Sequence, residues 1–274
     1  MFENILNEIK IKKPLVHCIT NYVTVNDCAN AILAVNGSPI MSDDIDEVED
    51  ITSICNSLVI NIGTLNERTI DSMIKAGKKA NQLNHPIILD PVGAGASKLR
   101  TNTAKMLLNE LNFSVIRGNI SEIKALATNI SNTQGVDANI NDVITKDNLI
   151  DVIEFAKEFS AKTNAIIAIT GAIDVIASID KAYAIYNGCA TMSKITGTGC
   201  MLSAILGSFV IVGHDNLLET TAYTVAMMGY CGETAEKKTI ERNEGTSSFR
   251  TYLIDTLSTI KYNDLKVGVK IEAY

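Results

Sequence analysis

Hydrophobic residues in the first two thirds of the chain follow two alternating patterns. The first pattern is a short, nearly continuous apolar run, which predicts a strand buried on both faces, as in a parallel sheet. The candidate strands are Leu15–Ile19, Ser38–Ser42, Ser57–Ile62, Pro86–Val92, Ser114–Arg117, Ala165–Thr170, Asp174–Ser178 and Ala182–Tyr186. The last two surround Asp180 and Lys181, which predicts an antiparallel hairpin at one edge of the sheet.

The second pattern places apolar residues at helical spacing between these strands. Each such segment fills the gap between two strands, as a crossover helix does. The predicted helices are Thr24–Val35, Asp44–Asn56, Glu67–Leu83, Leu99–Leu111, Ser121–Ala127 and Asp147–Thr163. We therefore expect an α/β fold with a central, mostly parallel sheet and helices on both faces.

The last third of the chain is mostly helical, with predicted helices over Met201–Val212, Leu217–Lys237 and Thr246–Ile260. The stretch Asn129–Asp142, rich in Asn, Ser, Gly and Asp, is interpreted as a surface excursion because the strand and helix rhythm resumes after it. With 274 residues, 46% of them hydrophobic, the chain fits one domain over residues 1–274. Two small domains also fit this length.

Composition narrows the classes of partner. The formal net charge is −7, and the Lys and Arg residues are scattered, which disfavours a nucleic-acid surface. Residues 1–13 include acidic side chains and no long apolar run, and no later run reaches membrane-spanning length. The six cysteines form no C-x-x-C pair, which excludes a zinc ribbon and a thioredoxin motif. We expect a cytoplasmic protein that acts on small molecules, without nucleic acid or membrane as partner.

A glycine-rich turn, Lys194–Cys200, leads directly into the apolar segment that begins at Met201. Glycines allow the backbone to approach a ligand, and the first N–H groups of a helix have no partner within the helix. Together they predict an anion site. The turn lacks the Lys-Ser/Thr of a Walker A motif, and no G-x-G-x-x-G follows the first strand, so a nicotinamide enzyme is disfavoured.

The residues that follow the strands are the next candidates, since ligands of open parallel sheets bind beyond the carboxyl ends of the strands. Asp90 follows an apolar run and Glu122 lies one turn into a helix. Near an anion site, two such carboxylates resemble a loosely held Mg²⁺ site. The alternatives are that Asp90 caps its turn and that Glu122 complements the helix dipole. Arg117 ends an apolar strand, where a phosphate partner would satisfy it.

Cys200, at the mouth of the turn, has three interpretations. It is a small core residue, a nucleophile activated by the helix N-terminus, or a thiol beside the acceptor hydroxyl of a phosphoryl-transfer site. A nucleophile needs a base. His17, His85 and His214 are the three histidines, and none occupies a suitable place in the predicted fold.

A series of short motifs extends over nearly the whole chain: His17–Thr24, Pro39–Ser42, Asn61–Thr64, Leu89–Ala94, Arg117–Asn119, Ser121–Glu122, Ile169–Gly171 and Thr196–Cys200. Each motif is weak alone, but their order and spacing together are specific. Taken in this order, they resemble the hydroxyethylthiazole kinase family, the thiamine-salvage branch of the ribokinase-like kinases.

The resemblance implies a ribokinase-like fold and an ATP- and Mg²⁺-dependent transfer. The acceptor would be the hydroxyl of 4-methyl-5-(2-hydroxyethyl)thiazole, and the product would be the thiazole phosphate used in thiamine diphosphate salvage. The family is typically homotrimeric, with the thiazole site completed at the subunit interface.

The resemblance also assigns roles on the substrate side. Met41 lies where the family contacts the thiazole, and Gly197 contributes backbone to the same pocket. Asn21 and Gly63 occupy neighbouring substrate loops.

On the phosphate side, Arg117 and Thr170 match positions that bind ATP. Asp90 and Glu122 match the region of Mg²⁺ and phosphate. Cys200 stands at the catalytic position, where the wider superfamily has an Asp that acts as general base; a thiol has a higher pKa than a carboxylate and is a poorer base unless the helix dipole lowers it.

Two other functions remain open from the sequence. A sister ribokinase-like kinase acting on a hydroxymethylpyrimidine would share the fold and the anion site. A non-catalytic thiazole or nucleotide binder, or a thiol hydrolase, belongs to a different class. The acidic residues Asp90 and Glu122 together with Arg117 count against a simple binder, and the lack of a placed histidine counts against a hydrolase.

Overall fold

The computed structural model describes residues 2–128 and 143–274. Its strands are β1 (Leu15–Ile19), β2 (Ser38–Met41), β3 (Ser57–Asn61), β4 (Ile87–Asp90), β5 (Val115–Gly118), β6 (Ile166–Ile169), β7 (Asp174–Ala177), β8 (Ala182–Ile185) and β9 (Ile271–Ala273). Its helices are α1 (Phe2–Lys12), α2 (Val25–Ala34), α3 (Val48–Ile54), α4 (Glu67–Gln82), α5 (Lys98–Glu110), α6 (Ile120–Ala127), α7 (Leu149–Thr163), α8 (Thr198–Val212), α9 (Leu217–Glu241), α10 (Thr246–Thr259) and α11 (Tyr262–Gly268).

The described strands form one sheet in the order β2-β1-β3-β4-β5-β6-β7-β8-β9. The first six in this order are parallel, and the last three are antiparallel to their neighbours. The predicted mostly parallel sheet is confirmed. The β7–β8 hairpin, however, is not the edge, because β9 pairs with the outer side of β8.

Each face of the sheet supports its own hydrophobic core. Successive residues of β3 alternate between them, since Val59 packs in one core while Leu58 and Ile60 pack in the other. Helices α8 and α9 cover the first face, and α4, α6 and α7 cover the second. Helix α8 is buried from Met201 to Val210, as expected for a helix covered by both the sheet and outer helices.

Three elements are absent from the sequence prediction. Helix α1 buries Phe2, Ile5 and Ile9 at helical spacing, but it stands before the first strand and so is not a crossover. Helix α11 and strand β9 are short, and among the described strands β8 alone pairs with β9.

The predicted helix Asp44–Asn56 is shorter in the structure, where it covers Val48–Ile54. The predicted excursion Asn129–Asp142 lies outside the described residues.

Within the described part of the chain, no single helix is long and apolar enough to cross a bilayer. Helices α8 and α9 reach that length and composition only as a pair, and the pair is bent by 106° at its break.

The carboxyl ends of the six parallel strands share one edge of the sheet. Antiparallel pairing brings the start of β7 and the end of β8 to the same edge, since Asp174 is paired with Ile185. Side chains from eight strands therefore meet along this edge, which contains the candidate site.

Candidate active site

Six of the site residues predicted from sequence lie along this edge, in the order of the strands that carry them. From the outer strand β2 inward they are Met41 at the end of β2, Asn21 after β1, Gly63 after β3, Asp90 at the end of β4, Arg117 in β5 and Thr170 after β6. Four strand spacings of roughly 4.8 Å place β2 and β5 about 19 Å apart. The predicted thiazole residues thus lie on one side of Asp90, and the predicted ATP residues lie on the other.

Helix α8 begins inside the glycine turn, three residues earlier than predicted. Gly197 is its N-cap with φ +92°, a conformation that favours glycine, and Gly199 and Cys200 lie in its first turn. A Cβ atom at Gly197 would also lie 2.6 Å from Cγ2 of Thr24. The glycine therefore lets the helix start against the loop that follows β1, and the first N–H groups of the helix have no partner within it.

Arg117 lies between the middle strands and the start of α8. Its Nη2 donates to Oγ1 of Thr170 at 2.6 Å, and its Nη1 lies 3.6 Å from Oδ2 of Asp90. A Cβ atom at Gly199 would lie 2.4 Å from Nη1, so a larger residue there would displace the guanidinium from this position. Arg117 thus faces a polar cleft, as predicted, and contacts its predicted ATP-site partner directly.

A cavity of about 570 Å³ opens beyond Arg117 and Thr170. Its lining combines polar residues, such as Asn119 and Thr198, with apolar residues, such as Leu202 and Met228. This volume and this mixture of polar and apolar lining are typical of small-molecule sites.

Asp174, at the start of β7, lines the same cavity and was not identified from the sequence. Its Oδ1 accepts a hydrogen bond from the N–H of Gly171 at 2.8 Å. Burial raises the pKa of Asp174 to about 7, and the Gly171 bond and the Arg117 charge oppose this shift. The sequence signal is an acidic residue that opens an apolar strand three residues after a glycine.

Asp90 is fully buried at the centre of the edge. Its Oδ2 accepts from Nδ2 of Asn61 at 2.9 Å and from Oγ of Ser203 at 2.8 Å, whereas its Oδ1 has no partner among the described residues. Burial raises the pKa of Asp90, and the Arg117 charge opposes that effect. The alternative that Asp90 caps its turn is wrong, because neither carboxylate oxygen accepts a hydrogen bond from that turn.

Glu122 accepts one backbone hydrogen bond at each carboxylate oxygen. Oε1 accepts from the N–H of Gly93 and Oε2 from the N–H of Asn119, both at 2.8 Å. The second contact belongs to a capping box at the start of α6, in which Asn119 accepts from the Glu122 N–H. Glu122 therefore joins the turn after β4 to the turn after β5, in agreement with the helix-terminus alternative.

Cys200 is half-buried, and its Sγ accepts hydrogen bonds of 3.3 Å from the side-chain amides of Asn21 and Asn61. Burial raises the pKa of the thiol, and the Asp90 charge raises it further. The helix terminus thus does not produce a thiolate at neutral pH. His17 is buried between Oγ1 of Thr52 and the carbonyl of Ser42, a core position, so it is not placed as the base that the hydrolase interpretation needs.

Asn61 and Ser203 are the other site residues without a role assigned from the sequence. Both are buried and both donate to Asp90. Asn61 ends an apolar strand, which is a detectable signal. Ser203 is one small residue in an apolar helix, and only packing identifies it.

Comparison with known proteins agrees with this geometry. A model of the hydroxyethylthiazole kinase family matches residues 6–263. The hydroxyethylthiazole kinase of Clostridium acetobutylicum is 56% identical over 274 residues, which covers 100% of both chains. The structure of a hydroxyethylthiazole kinase protein from Pyrococcus horikoshii OT3 has a TM-score of 0.88 and 33% identity, and covers 99% of this chain and 98% of that one.

A more distant structure shares the fold alone. The pyridoxal kinase from Staphylococcus aureus, solved with ADP, has a TM-score of 0.60 and 11% identity, and covers 96% of this chain and 98% of that one. The architecture is the ribokinase-like kinase fold that the family resemblance implies. The family match and the high identity over the full length carry the assignment further: this chain belongs to the hydroxyethylthiazole kinase family.

Proposed function

We propose that this chain transfers the γ-phosphoryl group of ATP to the hydroxyl of 4-methyl-5-(2-hydroxyethyl)thiazole, which yields the thiazole phosphate for thiamine diphosphate salvage. The observation that carries the proposal is the placement of Asp90 and Arg117 at the start of α8. These groups lie between a cavity on one side and the Asn21, Gly63 and Met41 strand ends on the other. Such a charged centre between two sites suits a group transfer.

On the nucleotide side, Arg117 and Thr170 would bind the phosphates of ATP. Arg117 lines the cavity, where its guanidinium would donate to a phosphate oxygen. The free N–H groups of the first turn of α8, at Thr198 to Cys200, add donors directed at the same charge. These groups would neutralise the charge that moves during transfer.

On the acceptor side, Met41, Gly197, Asn21 and Gly63 would form the thiazole pocket. Gly63 lies against Asn21, since a Cβ atom at Gly63 would be 3.0 Å from Cβ of Asn21. Gly197 packs on Thr24, whose N–H and Oγ1 donate to Oδ1 of Asn21. The pocket residues near Asp90 are thus held by one another and present neutral groups, which suits an uncharged alcohol.

The charged centre fits a magnesium ion. Asp90 has a buried carboxylate oxygen without a partner, and each oxygen of Glu122 accepts only one hydrogen bond. Among the described residues no group of three or more His, Cys, Asp or Glu could hold a metal alone. Mg²⁺ is commonly held by one or two carboxylates, with water and phosphate oxygens completing the shell. Asp90 and Glu122 would hold it, and the ion would neutralise phosphate charge when bound.

Cys200 would contact the acceptor hydroxyl as a neutral thiol. Its raised pKa disfavours both a covalent nucleophile and a general base at neutral pH. Its catalytic role would be to occupy the position between the two substrates, at the first turn of α8.

A homotrimer with the thiazole site at the subunit interface is also part of the proposal. It is supported by the position of Met41 at the end of β2, the outer strand of the sheet, whose four residues are all half-buried. The neighbouring loop exposes 78% of Tyr22 and 58% of Val23. Exposed apolar residues beside a partly built pocket favour coverage by a second subunit.

The remaining parts of the proposal rest mainly on composition. A single domain over residues 1–274 is supported by one sheet that joins strands from both ends of the chain. A cytoplasmic location without nucleic-acid or membrane partners is supported by the scattered basic residues and the net charge of −7.

The test is turnover by the purified protein with Mg²⁺ and ATP. We expect ADP release that depends on the thiazole alcohol, with a phosphorylated thiazole detected by mass spectrometry. Preferred phosphorylation of a hydroxymethylpyrimidine would favour the sister kinase. Binding of the thiazole by calorimetry without any ADP release would favour a non-catalytic binder, and either result would overturn the proposal.

A further inference from the structure

Asn61 occupies the point where the two substrate sides meet. It is the last residue of β3, which lies between β1 and β4, and it is directly paired with Asp90 in the sheet. Its side chain is buried, with the residue 2% exposed. A buried amide at this position must satisfy its donors and its acceptor within the site.

The hydrogen bonds of Asn61 define the orientation of its amide. Oδ1 accepts from the N–H of Gly63 at 2.9 Å, and a backbone N–H can only donate. Nδ2 must therefore face the other way, where it donates to Oδ2 of Asp90 at 2.9 Å. The second hydrogen of Nδ2 is directed to Sγ of Cys200 at 3.3 Å. All the donor capacity of the amide is used by these two acceptors.

Asn21 completes the arrangement from the side of β1. Its Oδ1 accepts from the N–H and Oγ1 of Thr24, so its Nδ2 faces inward. There it donates to Oδ1 of Asn61 at 3.1 Å and to Sγ of Cys200 at 3.3 Å. The Cys200 sulfur thus receives two amide donors, from Asn21 and Asn61. Of these two amides, that of Asn61 also contacts the Asp90 carboxylate.

We propose that Asn61 is a positioning residue of the transfer reaction, whose amide holds the Cys200 sulfur and the Asp90 carboxylate in a common geometry. This inference rests on the proposed function for its kinetic consequence. Asn61 contacts Gly63 on the acceptor side and Asp90 at the charged centre, so its orientation couples the two. A shift of about 1 Å at such a contact is enough to slow a transfer by roughly 100-fold.

The test uses Asn61→Asp in the full chain. The substitution keeps the size of the side chain and the acceptor for Gly63, but it removes both Nδ2 hydrogens, the one that reaches Cys200 and the one donated to Asp90, and it places a second carboxylate against Asp90. Labelling of Cys200 by iodoacetamide at pH 8.5, followed peptide by peptide with mass spectrometry, should slow by fivefold or more, since a thiolate loses a donor and gains a negative neighbour. The kcat for the thiazole should fall 10- to 100-fold, while KM for ATP should stay within twofold.

Ser203→Ala is the matched control. It removes the other hydrogen bond to Oδ2 of Asp90 and leaves both amide donors to Cys200 in place. We expect its Cys200 labelling rate to stay within twofold of the wild type, even where kcat falls. If Asn61→Asp does not fold, as judged by circular dichroism, Asn61→Ser is measured in its place, because its hydroxyl is too short to span both acceptors.

The outcomes separate this inference from the proposed function. Labelling needs no substrate, so a wild-type protein without thiazole turnover would refute the proposed function while slowed labelling could still be seen. In an active enzyme, a folded Asn61 variant with wild-type kcat would overturn the positioning role. A variant with reduced kcat but wild-type Cys200 labelling would also overturn it, because Asn61 would then act through Asp90 alone.

Discussion

The two halves of the candidate site are built from different chemistry. The amide half consists of Asn21, Asn61 and Cys200, in which neutral side chains are linked by hydrogen bonds and closely packed. The proposed nucleotide half consists of the 570 Å³ cavity with Arg117 and Asp174 at its wall. The first half is closed and uncharged, whereas the second is open and charged.

This contrast corresponds to the two substrates that the proposed reaction joins. An uncharged alcohol is oriented by neutral hydrogen bonds and shape, and a fixed network provides both at little entropic cost during reaction. A nucleoside triphosphate needs charge neutralisation, which Arg117 and the first turn of α8 would supply in the proposed reaction. Among the described residues, Asp90 is the carboxylate that touches both halves, through Asn61 and Arg117.

The largest effect is expected at this shared carboxylate. Asp90→Asn retains an acceptor for Asn61 and Ser203 but removes the negative charge. We predict a loss of kcat of more than 1,000-fold, or about 4 kcal/mol of transition-state stabilisation, measured by thiazole-dependent ADP release. Circular dichroism checks the fold. Retention of more than a tenth of the wild-type kcat would mean that neither half depends on this charge.

The next effect concerns stability in the nucleotide half. The pKa of Asp174 is about 7 in the folded protein and about 4 when unfolded, so between these values the native state holds a proton that the unfolded state releases. Stability is therefore lost as pH rises from about 4 to 7. Asp174→Asn removes this loss and retains an acceptor for Gly171. We predict that the free energy of unfolding of the variant, measured relative to that of the wild type, increases by on the order of 3 kcal/mol from pH 4.5 to pH 8.

Urea unfolding of both proteins at pH 4.5 and pH 8 measures this difference. The other titrating groups are the same in the two proteins, so their contributions to the free energy of unfolding cancel. An equal offset at pH 4.5 and pH 8 would show that Asp174 carries its charge as easily in the folded protein as in water.

A smaller effect, at Arg117, tests directly whether the two halves bind their substrates independently. Arg117→Gln removes the cation that contacts Thr170 and Asp90. We predict a loss of about 100-fold in kcat/KM for ATP, near 2.7 kcal/mol, because the phosphate charge is no longer neutralised. Calorimetry with the thiazole alone should give a Kd within twofold of wild type. Arg117→Lys, which keeps the charge without the planar fork, should recover part of the loss. A matching fall in thiazole affinity would show that the halves are not independent.

The smallest effect is expected at the thiol of the amide half. Cys200→Ser should retain turnover within about tenfold of wild type, because positioning and charge neutralisation supply most of the rate. Cys200→Asp should be near or above wild type if the removal of the hydroxyl proton limits the rate. Steady-state kinetics of both variants measure this. Complete loss in a folded Cys200→Ser protein would instead make the thiol essential, and a collapse in Cys200→Asp would argue against a limiting base.

Much of the fold was predictable because buried parallel strands carry a continuous apolar signal. The bounds of β1, Leu15–Ile19, agree with the prediction. Helix α11 and strand β9 were not predicted because short elements have little periodicity of their own. In these cases the neighbouring element, such as β8, supplies most of the stabilising contacts.

The candidate site was predictable where a polar residue interrupts an apolar run at a strand end. Asp90 and Arg117 meet this condition, and the structure brings them to 3.6 Å. The network around Cys200 was not predictable, because its donors come from residues 139 and 179 positions away in the chain. The direction of the Cys200 pKa was not predictable for a related reason, since it is raised by burial and by the Asp90 charge, and both come from tertiary packing.

The sequence by itself determined the alternation of strands and helices, the glycine turn and the set of polar residues at the strand ends, because each depends on local spacing and on backbone preferences. Only the tertiary structure decided which of these residues act together. The pairing of Asn61 with Asp90, the space that Gly199 leaves for Arg117 and the raised pKa values of Asp174 and Cys200 all arise from contacts between distant segments. Hydrogen bonding and desolvation depend on such contacts, and these exist only once the sheet is assembled.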